Sequence, residues 1–149
     1  MPGKPAGTEA QEGAGPGNGV PCDRTRILIV DDEDTILQLF VMILSSALPD
    51  HAFDLARNGR EAVQAFGERH HAVLLMDLFM PVMDGQEAFF AVRTLCRERR
   101  WDMPSVVFCT GFAPPQSLES VLQTTPEHCL LRKPVSGEML IETVRQRLG

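Results

Sequence analysis

The chain has 149 residues, 44% of them hydrophobic, with 14 basic against 20 acidic side chains and a net charge of -6. That length suits one domain with an ordinary core, and the acidic balance argues against a direct nucleic-acid-binding surface, which needs a basic stripe. The four cysteines and four histidines show no CxxC, HxxxH or HExxH spacing, so a structural zinc is not expected.

Residues 1 to 24 are crowded with Gly and Pro and hold almost nothing that could be buried. Ordering entropy would go uncompensated there, so 1–24 is expected to be a disordered tail and 25–149 the folded domain. The tail lacks the apolar stretch of a signal peptide, and no run of ~20 apolar residues occurs anywhere. The expected location is the cytoplasm, with no membrane contact and with Cys96, Cys109 and Cys129 reduced in apolar surroundings.

The pattern then switches abruptly. Ile27-Leu-Ile-Val30 reads as a short strand buried on both faces and is stopped by Asp31-Asp32-Glu33-Asp34. Ile36, Phe40, Ile43 and Ala47 follow at helical spacing and end before Pro49. His51 to Ala56 alternates weakly as a strand. Asn58 is placed to cap a second helix carrying Ala62, Val63 and Phe66, with Gly67 as its C-terminal cap. Val73 to Met76 is a second continuous apolar run leading into Asp77, with Pro81 and the turn signal Asp84-Gly85 beyond it.

A third helix from Asp84 sets Ala88, Val92 and Leu95 on one face. Ser105 to Cys109 is a strand ended by Thr110-Gly111. A short helix with Leu118, Val121 and Leu122 precedes Pro126. His128 to Arg132 is the last strand, closed by Lys133-Pro134, and a final helix spaces Leu140, Val144 and Leu148 four apart. Five strands alternating with five helices predict a parallel sheet covered on both faces.

In an open parallel sheet the carboxyl ends of the strands line the ligand crevice. There the topology gathers Asp31 and Asp32, Asp77, Thr110 and Lys133. Clustered carboxylates repel, and Mg2+ with its preference for hard oxygen ligands is their natural neutraliser. A carboxylate can attack phosphorus to give an aspartyl phosphate, whose oxygens then need cations and donors around them. Singly, each residue has an ordinary explanation as a turn, cap or boundary. Acids before a helix favour its dipole in any case, which accounts for Glu33 and Asp34. Jointly, five such residues at strand ends of one sheet point to phosphoryl chemistry.

Ile27-Leu-Ile-Val-Asp-Asp-Glu33, Met76-Asp-Leu-Phe-Met-Pro-Val-Met-Asp-Gly85, Cys109-Thr-Gly111 and Arg132-Lys-Pro134, in that order and spacing, resemble a two-component response-regulator receiver domain of the stand-alone, chemotaxis type. The resemblance covers residues 25 to 149. It implies an α/β, flavodoxin-like doubly wound fold with strand order 2-1-3-4-5. It also implies that Asp77 accepts a phosphoryl group from a phosphohistidine on a histidine kinase or histidine phosphotransfer protein. Asp31 and Asp32 would organise Mg2+, with Asp32, Asp77 and the backbone carbonyl of Phe79 as direct ligands. Thr110 would be the switch hydroxyl, Lys133 the partner of the phosphoryl oxygens, and the bond before Pro134 cis.

Two departures from the family's habit stand out. Leu130 stands where the switch residue is commonly aromatic. Phe79 and Phe112 flank the path of the hydrolytic water and offer it no orienting group, which implies slow autodephosphorylation and no other enzyme activity. Output would run through the helix 4, strand 5 and helix 5 face to an effector, a homodimer or onward phosphotransfer. A pseudo-receiver that binds partners without phosphorylation is the alternative reading. A phosphatase with a nucleophilic Asp would need a second carboxylate at Phe79, and a flavin-binding flavodoxin would not place four acids in its first loop.

Overall fold

A computed structural model describes residues 19–149. Most of the expected tail lies outside these described residues. Its last part is not detached: strand β1 (Asp23–Val30) already begins at Asp23, and Val20 bridges to Trp101. The boundary expected after residue 24 therefore moves toward the N-terminus. The polar start of β1 hides no apolar surface, so periodicity could not find it.

The elements continue as α1 (Asp34–Ala47), β2 (Ala52–Ala56), α2 (Gly59–Arg69), β3 (His71–Asp77), α3 (Gly85–Arg99), β4 (Ser105–Thr110), α4 (Gln116–Thr124), β5 (Cys129–Arg132) and α5 (Gly137–Leu148). The strands form one parallel sheet in the order β2-β1-β3-β4-β5. The chain thus winds outward from β1 in both directions, as expected.

Alternation along the strands divides the core in two. Leu28, Val30, Leu74, Met76, Val106 and Phe108 pack with Ala62 and Phe66 of α2, Ala88, Phe89 and Val92 of α3, and Leu118 of α4. Ile27, Ile29, Val73, Leu75, Val107 and Cys109 point the other way, onto Leu37, Phe40 and Leu44 of α1 and Leu140 and Val144 of α5. Covering on both faces is why these strands read as continuous apolar runs.

Two local expectations are corrected. The inward stripe of α1 is Leu37, Phe40 and Leu44, with Ile36, Ile43 and Ala47 only flanking it. An apolar helix offers several candidate stripes, and only the neighbouring sheet and α5 select one. Gly67 is not a terminal cap: α2 runs on to Arg69, and His70 takes the left-handed conformation (φ 52°) that ends it. The N-terminal caps stand where expected. Asn58 accepts a hydrogen bond from the Glu61 N–H. Asp84 and Glu87 form a reciprocal capping box that starts α3.

Candidate phosphoacceptor site

The apolar stretch Val73–Met76 leaves Asp77 as the last residue of β3, almost fully buried at the carboxyl edge of the sheet. β1 ends one register step earlier and delivers Asp31, also buried, and the exposed Asp32. The Asp31 carboxylate is fixed from within its own loop, where Oδ1 accepts the Glu33 N–H at 2.9 Å. Carboxylate oxygens of Asp31, Asp32 and Asp77 all lie within 4.8 Å of one another.

Lys133 follows β5 and reaches across. Its Nζ donates to Asp31 Oδ2 at 3.0 Å and lies 3.6 Å from Asp77 Oδ1. The backbone N–H of Lys133 donates to the Thr110 carbonyl at 2.9 Å, tying the ends of β4 and β5 together beside the site. The Lys133–Pro134 bond is cis, as the resemblance implied. Thr110 is fully buried at the end of β4, and its Oγ1 accepts the Phe112 N–H at 3.1 Å. All five residues singled out in the sequence, Asp31, Asp32, Asp77, Thr110 and Lys133, therefore stand on one edge.

The electrostatics show what the cluster lacks. Burial raises the Asp77 carboxyl above the usual range; Lys133 opposes that rise, and Asp31 adds to it. Lys133 is itself held above the ordinary lysine range, because its hydrogen bond to Asp31 and the charges of Asp31 and Asp77 outweigh its desolvation. One ammonium faces three carboxylates, so the site is short of positive charge. An all-oxygen donor set with that deficit fits Mg2+, a hard cation that takes few protein ligands and keeps several waters.

Three contributors come from packing and backbone conformation that the sequence does not display. Gly85 packs so close to β3 that a Cβ there would lie 2.4 Å from the Asp77 carbonyl oxygen. Its N–H donates to the Leu78 carbonyl at 2.7 Å. Gly59, at the start of α2, meets the same loop: its N–H donates to the Met83 carbonyl, and a Cβ would lie 2.6 Å from that oxygen. Val82 holds a left-handed backbone (φ 71°) at 72% exposure. The Asp84-Gly85 signal marked a turn but not the close approach, and a valine carries no signal for a positive φ.

The residue pattern, fold and geometry coincide with a known family. Residues 27–145 match the model of the response regulator receiver domain. The chain belongs to the response-regulator receiver family. A stretch of 71 residues is 44% identical to the regulatory protein AtoC of Escherichia coli, covering 46% of this chain and 14% of that protein. The hybrid signal transduction histidine kinase B of Dictyostelium discoideum is 28% identical over 83% of this chain, which is 7% of its own length. The receiver spans between 4% and 29% of the length of such curated relatives. Among solved structures, the receiver domain of the hybrid histidine kinase CckA superposes with a TM-score of 0.65 at 25% identity, covering 83% of this chain and 99% of that one. The signal receiver domain of a LuxO-type repressor from Vibrio parahaemolyticus gives 0.71 at 21% identity, covering 84% and 90%, and supports the fold alone. Family membership gives the class of function: a phosphorylation-controlled switch domain of two-component signalling. No helix among the described residues is long and apolar enough to cross a membrane.

Proposed function

We propose that Asp77 is the phosphoryl acceptor of this receiver and that the donor is a phosphohistidine on a histidine kinase or phosphotransfer protein. The observation that carries this is the placement of Lys133 against both Asp31 and Asp77, 3.0 and 3.6 Å away, beside three converging carboxylates. Of the two carboxylates that Lys133 backs, Asp31 is already hydrogen-bonded to Lys133 and to the Glu33 N–H, which leaves Asp77 the less committed one. Asp31, Asp32, Asp77 and the backbone carbonyl of Phe79 would hold Mg2+. When bound, that ion neutralises the oxygens of the transferring group and screens the carboxylates from one another.

An Asp77 carboxylate oxygen attacks phosphorus in line with the departing imidazole nitrogen. The new P–O bond forms as the P–N bond breaks, and the electron pair of the broken bond stays with the imidazole. Lys133 moves its second contact from Asp77 to a phosphoryl oxygen, and the Thr110 hydroxyl donates to another. Turning the Thr110 hydroxyl inward releases the Phe112 N–H now bonded to it, so the β4–α4 loop reports the modification. The output surface is the face formed by α4, β5 and α5. Leu130, half-buried on β5 opposite Phe108, fills the position beside it where the family commonly rotates an aromatic ring.

Phe79 and Phe112 pack edge to face, with ring centroids 5.7 Å apart, at 45% and 69% exposure. Two rings at the mouth of the site obstruct an in-line water and orient none, which supports a long-lived phosphorylated form. The decisive test is intact-protein mass spectrometry after incubation with Mg2+ and acetyl phosphate. The wild type gains one phosphoryl group, Asp77→Asn gains none, and omission of Mg2+ suppresses the gain. A wild-type chain that stays unmodified overturns this reading in favour of a receiver that binds partners without phosphorylation.

A further inference from the structure

At the opposite edge of the sheet, away from the carboxylates, three side chains from distant parts of the chain converge on one backbone oxygen. The Asp102 carbonyl accepts from His70 Nε2 at 2.9 Å and from Cys22 Sγ at 3.5 Å, and Cys96 Sγ approaches it at 3.7 Å. Cys22 Sγ is also 3.4 Å from His70 Nε2. Cys22 lies just before β1 and Cys96 in the last turn of α3. Neither belongs to the phosphoacceptor site.

Both sulfurs touch the same oxygen, which places two thiols from distant parts of the chain beside one another; a disulfide further needs their Cβ atoms about 3.5–4.5 Å apart. We propose that Cys22 and Cys96 are a redox-responsive pair that closes to an intramolecular disulfide with a peroxide as oxidant. Two S–H bonds break and one S–S bond forms. The two electrons and two protons pass to hydrogen peroxide, which leaves as two waters. The first step, attack on peroxide by one thiol, gives a sulfenic acid that the second thiol resolves. His70 is placed for that step: its ring N–H, now donated to the Asp102 carbonyl, lies within reach of the Cys22 sulfur once that sulfur carries charge. Burial pushes both thiols up to about 12, which keeps the thiolate scarce and slows oxidation while Cys22 is packed in place.

Besides the contacts of Cys22 itself, the backbone of the segment holding it is joined to the rest of the chain by the Val20 N–H to the Arg100 carbonyl (3.0 Å), the Asp102 N–H to the Val20 carbonyl (2.8 Å), the Asp23 N–H to the His70 carbonyl (2.8 Å) and the Gly19 N–H to Asp102 Oδ1 (3.2 Å). A disulfide would replace an openable β-bridge with a covalent strap between the entry of the domain and the end of α3. Cys109 and Cys129 provide an internal contrast, since they lie on the adjacent strands β4 and β5, in register neither with each other nor with this cluster.

The full chain, reduced and then treated with hydrogen peroxide under native conditions, is alkylated in denaturant and digested with trypsin. The expected product joins the peptide ending at Arg24 to Thr94–Arg97, with Cys109 and Cys129 alkylated and the intact mass lower by two hydrogens. Hydrogen exchange at the Val20 and Asp102 amides slows in the oxidised protein. Cys22→Ser abolishes the cross-link and leaves Cys96 alkylatable. Full alkylation of both cysteines after oxidation, an isolated sulfinic acid on Cys22, or a link to Cys109, Cys129 or a second chain would each overturn the proposal.

Discussion

At the scale of single residues, the carboxylate edge carries exposed apolar side chains where a soluble loop usually carries polar ones. Phe79, Val82 and Phe112 are exposed on the loops that follow β3 and β4, the strands that end at Asp77 and Thr110. Val82 adds backbone strain of about 1–3 kcal/mol, the usual range for a residue held in a sparsely populated conformation. Under the proposed mechanism, Phe79 and Phe112 bear on the lifetime of the signal. Water must reach phosphorus opposite the Asp77 oxygen, and a side chain able to hydrogen-bond it would orient the attack. Phe79→Asn combined with Phe112→Glu is expected to speed loss of the phosphoryl group by roughly a hundredfold, the lower end of what a positioned polar group contributes. The decay of the phosphorylated mass after removal of donor measures it, and an unchanged lifetime would remove the two rings from the account.

Elements set the precision of the site through two helix starts. The capping box of Asp84 and Glu87 fixes where α3 begins, and Gly85 lets that start press against the end of β3. The turn residues were legible in the sequence because a cap and a glycine have local causes. The closeness was not, because it depends on where β3 ends. Gly85→Ala would force backbone atoms of Asp77 and Leu78 aside, so it is expected to lower stability by about 3 kcal/mol. It should also slow phosphorylation, since Asp77 moves with its backbone. Urea unfolding and the acetyl phosphate assay read the two effects separately. Asp84→Ala gives the contrast, with about 1 kcal/mol lost from the cap and the Asp77 backbone unmoved.

For the whole molecule, one contribution to acid sensitivity lies far from the acidic cluster. His128 is buried before β5, its Nδ1 accepts the Val106 N–H at 3.0 Å, and Phe89 meets its ring edge to face. Burial pushes its pKa from the ordinary 6.5 down to about 4. His71 is lowered in the same direction by burial, against the pull of Asp54. The folded state thus keeps His128 neutral between pH 6.5 and 4, while the unfolded chain binds a proton there. The unfolded state binds more protons in that window, so stability is highest above it and falls as pH drops through it. The loss attributable to His128 is about 3 kcal/mol, from the free energy of a pKa unit. His128→Asn, which keeps an acceptor for Val106, is expected to flatten the urea midpoint between those pH values. An unchanged pH profile would place the acid sensitivity elsewhere.

What the sequence determined by itself was the class of fold and the chemistry gathered at one edge. A strand covered on both faces must be apolar throughout, so β1, β3 and β4 announced themselves, and parallel winding brings their carboxyl ends together wherever the loops lead. Asp31, Asp32, Asp77, Thr110 and Lys133 could be assembled from that rule alone. Tertiary structure alone decided which stripe of α1 faces inward, how closely Gly85 backs Asp77, and that Cys22, His70, Cys96 and Asp102 meet at the far edge. These depend on packing between segments many residues apart, and a contact of that kind leaves no periodicity in either segment.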